Sequence, residues 1–228
     1  MNIAGLQKLT LLDFPGYTAC TIFTSGCNFR CPFCHNSDLL TKRENLIEES
    51  EFFDFLKSRK GKLDGVCITG GEPLLQHDLI AFIKKVRALG FLVKLDTNGS
   101  NYEQLKVILQ EKLVDYVAMD IKNTPEKYHL SCGGNVNIEN IKKSVELIKN
   151  SDIKHEFRTT IVKELNEIID FKSIANWLKG CKAYYLQSYR HCDKVLKEGF
   201  TSYTEDEMKN ILQTVKKSGL ESVYLRGI

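Results

Sequence analysis

Val66-Cys67-Ile68-Thr69-Gly70-Gly71 is followed by Leu79, Phe82, Ile83 and Val86, then by Phe91-Leu92-Val93-Lys94-Leu95 running into Asp96-Thr97-Asn98-Gly99. This stretch decides the fold class. A short β-branched run that stops at two glycines reads as a strand, and spacings of three and four give a helix with one apolar face. The next apolar run, ending in turn residues, is a second strand. Strand, helix and strand in this order predict a parallel pair joined by a right-handed crossover. The alternation continues outward. Cys20-Thr21-Ile22-Phe23 precedes it, and Asp115 to Met119, His155 to Ile161 and Ala183 to Leu186 follow as further strands. Ile138, Ile141, Val145 and Ile148 mark one intervening helix, and Phe171, Ile174, Trp177 and Leu178 another. Ser100 with Glu103 and Thr204 with Glu207 read as capping boxes. The last helix runs to about Lys217, and Ser222 to Leu225 reads as a terminal strand. Met1 to Thr18 reads as irregular or short strands ending in a turn at Pro15-Gly16. Six or so βα units fall short of the eight in a closed barrel. The expectation is an α/β fold, a partial and open (β/α)6 barrel of parallel strands with outer helices. A flat doubly wound sheet is the alternative. No linker or repeat divides the chain, so residues 1–228 are expected to form one domain, with 1–18 as an N-terminal extension.

Composition narrows the function. The chain has 228 residues, 43% hydrophobic and 27% charged, enough apolar surface to exclude disorder as its main state. A net charge of +3 gives no reason to expect nucleic acid or an anionic membrane as partner. No apolar run is long enough to span a bilayer, and Met1 to Gly5 lacks a secretory pattern, so a cytoplasmic protein is expected. Eight cysteines in a chain of this kind point to metal rather than to disulfides.

Three of those cysteines are clustered in Cys27-Asn28-Phe29-Arg30-Cys31-Pro32-Phe33-Cys34, a C-x3-C-x2-C run directly after the first parallel strand. Three thiolates in one loop can hold three corners of a cubane cluster and leave the fourth iron open for chemistry. Zinc is the competing reading, but a structural zinc wants four ligands and His35 is the one nearby fourth. Cys67, at mid-strand, reads as a core residue, and Cys20, Cys132, Cys181 and Cys192 show no paired spacing, so no second cluster is expected.

Cys27-x3-Cys31-x-Phe33-Cys34 resembles the signature of the radical S-adenosylmethionine (SAM) enzymes, whose fold is a partial (β/α)6 barrel. The resemblance implies a [4Fe–4S] cluster on Cys27, Cys31 and Cys34. SAM would bind the open iron and be cleaved by one electron to a 5′-deoxyadenosyl radical that abstracts hydrogen. The other strand ends are similar to family motifs. Gly70-Gly71-Glu72-Pro73 resembles the stretch whose backbone meets the SAM amino group, with Glu72 either a charge partner or a loop holder. Asp96-Thr97-Asn98-Gly99 would by itself read as a turn. Together with Asp120-Ile121-Lys122 it resembles the motifs of glycyl radical enzyme activases. That likeness implies a monovalent cation held by Asp96, Thr97 and Asp120, with Asp120 and Lys122 near SAM. Arg158 resembles the arginine that steadies the SAM carboxylate. Gln187 matches a position near the ribose or adenine. Phe33 and His35 match a stretch used against adenine, although His35 reads equally as a loop hydrogen bonder.

The stretches Gly5 to Gly16, Phe23 to Asn36 and Leu225-Arg226-Gly227 extend the likeness to the short activating proteins of anaerobic ribonucleoside-triphosphate reductase. The implied function is installation of a glycyl radical on that partner enzyme, with flavodoxin or ferredoxin as reductant. Activases of pyruvate formate-lyase or other glycyl radical enzymes share these motifs. A small-molecule enzyme such as 7-carboxy-7-deazaguanine synthase is the enzyme alternative, and a zinc-binding or electron-transfer module is the alternative of another class. Hydrogen abstraction needs no acid or base, so no side chain is nominated as one.

Overall fold

The structure is a computed structural model that describes residues 1–41 and 45–228. Among these residues eight strands form one sheet in chain order: β1 (Ile3–Thr10), β2 (Ala19–Thr24), β3 (Gly65–Gly70), β4 (Leu92–Thr97), β5 (Tyr116–Asp120), β6 (Lys154–Ile161), β7 (Tyr184–Ser188) and β8 (Val223–Arg226). Strands β2 to β8 run parallel, and β1 is antiparallel to β2. No pairing joins β1 to β8 among the described residues, so the sheet is open, as expected for a partial barrel. The helices are α1 (Glu49–Ser58), α2 (Leu79–Ala88), α3 (Tyr102–Gln110), α4 (Tyr128–Cys132), α5 (Ile138–Lys149), α6 (Ile168–Trp177) and α7 (Glu205–Lys217).

The period of two along each strand separates two environments. Val93, Leu95, Val117, Met119, Phe157, Ile161 and Leu186 pack in the apolar core with Phe82, Ile83, Ile108, Val145 and Ile174 of the helices. The alternate positions, including Thr21, Thr69, Asp96, Asp120, Arg158 and Gln187, line the cavity enclosed by the sheet. The main hydrophobic core therefore lies between sheet and helices, and the barrel interior at the C-terminal ends of the strands is polar.

Two local expectations change. Residues 3–10, expected to be irregular or short strands, form one eight-residue strand, because the free edge of β2 supplies hydrogen-bond partners that no local pattern announces. Helix α3 begins one residue later than the Ser100–Glu103 pattern predicts. Asn101 is its cap and accepts from the Gln104 backbone at 3.3 Å. Ser100 Oγ instead accepts from Asn28 Nδ2 at 2.9 Å. The Thr204–Glu207 capping box at α7 forms as expected.

The chain after β1 closes the lower end of the barrel. Phe14 is fully buried against Ala19, Tyr116 and Ala118, near the starts of β2 and β5. Its ring lies edge-on to Tyr17 at 4.9 Å. Phe14→Ala is expected to cost about 3–5 kcal/mol, as for other large-to-small core changes. Chemical denaturation of the cluster-free chain would measure it, and a loss under about 1 kcal/mol would show that the plug collapses without cost.

Candidate active site

The loop that carries the three cysteines leaves β2 through Gly26, whose φ of 94° suits a residue without Cβ. The loop is tied at several points. Gly26 N donates to Leu39 O at 2.7 Å, and Arg30 N donates to Cys132 O at 2.8 Å. Gly133 follows α4 with a φ of 72°, and a Cβ there would stand 1.9 Å from Arg30 O. The loop therefore rests directly on backbone at the end of a helix that sequence periodicity does not reveal. Phe29 packs edge-on against Tyr128 of that helix at 6.5 Å.

Cys27, Cys31 and Cys34 are free thiols facing one cavity of about 370 Å³. Burial pushes all three thiols up, Cys31 to about 12, and the Lys122 ammonium opposes that rise in each case. Three thiols from one loop line the same cavity, a soft donor set that a cubane cluster takes with one thiolate on each of three irons.

The neighbouring loops hold one another. Gly71 N donates to Thr24 O and Glu72 N to Gly26 O, both at 2.8 Å. Glu72 is 1% exposed. Its Oε1 accepts from Leu74 N and Thr97 Oγ1, and its Oε2 accepts from Asn98 N at 2.7 Å. Glu72 thus ties the β3 loop to the β4 loop. Burial pushes its carboxyl up to about 7 against those three donors. Asn98 Nδ2 then donates to Asn28 Oδ1 at 3.0 Å, which reaches back to the cysteine loop.

Above the barrel interior runs a row of alternating charge. Arg158 Nη1 donates to Asp96 Oδ2 at 3.2 Å and its Nε to Asp120 Oδ1 at 2.9 Å. Lys122 Nζ donates to Asp120 Oδ2 at 3.0 Å, and Lys94 Nζ donates to Asp96 Oδ1. Burial would raise both carboxyls, but Arg158 with Lys122 holds Asp120, and Arg158 with Lys94 holds Asp96, below the usual range. Beneath the row, Glu156 accepts from Arg226 Nη1 and Nη2 at 3.0 and 3.1 Å and from Tyr116 OH at 3.0 Å. Arg226 also lies 3.8 Å from the Tyr185 ring centroid.

Every residue that the sequence singles out lines this one cavity: Cys27, Phe33, Cys31, Cys34, His35, Gly70, Gly71, Glu72, Asp96, Thr97, Asp120, Lys122, Arg158 and Gln187. The His35 ring faces Tyr189, with centroids 5.6 Å apart. Sequence reasoning missed Lys94, Glu156, Arg226, Asn28 and Asn98. Lys94 carried a signal, a lysine two residues before Asp96 on the same strand face. Cys67 is buried as expected, but its Sγ lies 3.9 Å from both Lys94 Nζ and Asp96 Oδ1, on the polar side of the sheet.

The radical SAM superfamily profile matches residues 21–178. A Methanocaldococcus jannaschii protein provisionally named a glycyl-radical enzyme activating enzyme is 32% identical, over 99% of this chain and 96% of its own. The pyruvate formate-lyase-activating enzyme of Clostridium pasteurianum is 31% identical, over 79% of this chain and 77% of its own. Among solved structures, Streptococcus suis SuiB bound to SAM superposes with a TM-score of 0.69 at 14% identity, covering 89% of this chain and 48% of that one. The profile spans the cysteine loop and the β3 to β6 strand ends that build the cavity, and the chain belongs to the radical SAM superfamily, enzymes that use a [4Fe–4S] cluster and SAM.

Proposed function

We propose that this chain is an activase that installs a glycyl radical on a partner enzyme, anaerobic ribonucleoside-triphosphate reductase first among the candidates. The observation that carries this reading is the near full-length match to a relative named for glycyl radical enzyme activation. The open sheet supports it, since a barrel that does not close leaves room for a glycine loop of another protein. The resemblance of residues 5–16 and 23–36 and of the Leu225-Arg226-Gly227 ending favours the reductase as partner.

In this reading Cys27, Cys31 and Cys34 hold the cluster. Together with SAM it supplies one-electron cleavage of a C–S bond and abstraction of a hydrogen atom. The residues of the chain bind, orient and shield. Gly70 and Gly71 let backbone approach the SAM amino group, and Glu72 keeps that loop on the β4 loop. Arg158, steadied by Asp96 and Asp120, faces the SAM carboxylate, and Lys122 adds positive charge beside the three thiols. Phe33, His35 and Gln187 border the nucleoside. The electron comes from a flavodoxin or ferredoxin-type protein, and the setting is cytoplasmic. No helix among the described residues is long and apolar enough to cross a membrane.

The test is low-temperature EPR on the anaerobically reconstituted, reduced chain, followed by addition of SAM and then of a candidate partner. The expected sequence is a [4Fe–4S]+ signal, its change on adding SAM, and a glycine-centred radical on the reductase. A radical appearing on pyruvate formate-lyase alone would transfer the assignment to that partner. SAM consumption driven by a purine-like small molecule, with no protein radical, would overturn the activase reading.

A further inference from the structure

The likeness to glycyl radical enzyme activases implies a monovalent cation on Asp96, Thr97 and Asp120, and the side chains do not fit it. Both Asp96 oxygens are taken, Oδ1 by Lys94 and Oδ2 by Arg158. Both Asp120 oxygens are taken, Oδ1 by Arg158 and Oδ2 by Lys122. Thr97 Oγ1 donates to Glu72 and accepts from Gly99 N at 3.0 Å. Each carboxylate oxygen that would hold the ion already accepts from Lys94, Arg158 or Lys122, so an added metal cation would be repelled by those groups or have to displace one of them. Such repulsion is strong away from bulk water.

Lys94 is the unusual member of this group. It lies within a strand, is 2% exposed, and has Asp96 as its carboxylate partner. Its ammonium sits 5.8 Å from the Tyr116 ring centroid, which offers a second, weaker attraction. A lysine buried this deeply is rare without such compensation. Nothing in the core needs it, because it points to the polar side of the sheet, away from the apolar side chains of β4.

We infer that the Lys94 ammonium is the built-in counter-ion of Asp96, a positioning residue that does for the SAM carboxylate site what a bound alkali cation would otherwise do. It fixes the Asp96 carboxylate through Oδ1, and Asp96 in turn holds Arg158 through Oδ2. This inference rests on the reading that SAM lies over Asp96 and Arg158.

The experiment measures equilibrium binding of SAM to the anaerobically reconstituted full chain in sodium, potassium or choline chloride, each at about 0.1 M to equalise screening. The expected affinity of the unmodified protein is the same in all three salts to within about twofold. Lys94→Met, close in length and uncharged, is expected to bind SAM about tenfold more weakly in choline chloride. It should recover much of that loss in sodium or potassium chloride, because Asp96 Oδ1 is then open to the ion. Recovery specific to small cations is a readout that a merely structural lysine would not give. Alkali dependence in the unmodified protein would overturn the inference, as would a Lys94→Met variant that binds SAM normally in every salt or loses affinity equally in all of them. If Lys94→Met does not fold, Lys94→Arg must keep salt-indifferent affinity. Failure of SAM to bind the unmodified chain in any salt would instead refute the underlying SAM reading.

Discussion

Replacing Cys31 by alanine is expected to leave a reconstituted protein without its [4Fe–4S] signal and without SAM cleavage, while Cys20→Ala keeps both. The two thiols are similarly hidden, at 7% and 0% exposure, so burial does not separate them. Their surroundings do. Cys20 lies in β2 within the apolar core, where loss of its sulfur costs about 1 kcal/mol of packing. Cys31 lies on the cavity with Cys27 and Cys34, and the Lys122 charge reaches all three. A cluster held by two thiolates loses a corner and with it the geometry that leaves a different iron open. Iron and sulfide content, EPR and methionine release read the outcome together. Retained cleavage in Cys31→Ala would move the ligand role to a neighbouring thiol, Cys132 or Cys192.

The second large effect is expected at Gly71. Its backbone is not in the left-handed region, so the constraint is room alone. A Cβ at this position would stand 2.1 Å from the Gly26 carbonyl oxygen and 2.7 Å from its carbon. That carbonyl is backbone, already accepts from Glu72 N, and begins the cysteine loop, so it cannot swing aside as a side-chain tip would. Gly71→Ala is therefore expected to destabilise the chain by about 1–3 kcal/mol. It should also weaken SAM binding by about tenfold or more, since the loops at the ends of β2 and β3 must separate. Gly5→Ala is the control: its Cβ would meet Phe23 at 3.6 Å, an ordinary contact, and both properties should hold. Thermal unfolding and SAM binding on the two variants check the pair. A Gly71→Ala protein that binds SAM normally would show that the two loops move apart without harm to the site.

The inner network extends the same reasoning to the end of the chain. Arg226 reaches from β8 across to Glu156 on β6, with Tyr185 of β7 beneath its guanidinium. A bidentate pair of this kind, with its carboxylate buried, holds three strands in register. It gives the Leu225-Arg226-Gly227 ending a structural role within the barrel, whatever else that segment contacts.

What the sequence alone determined is local in origin. Apolar spacing of two and of three to four separated strands from helices, and glycine or aspartate at strand ends marked where the loops begin. The C-x3-C-x2-C spacing named the cluster loop because its three ligands lie within one short segment. Thr204 and Glu207 announced their capping box for the same reason. What only the tertiary structure decided are contacts between residues far apart in the chain. Ser100 is drawn off its helix by Asn28, 72 residues earlier. Arg158 bridges Asp96 and Asp120 because β4, β5 and β6 are neighbours, and Glu156 meets Arg226, 70 residues on. The period of two tells that Lys94 and Asp96 share a face. It does not tell that the face is a polar interior, because that depends on how the sheet curves and on what the helices cover.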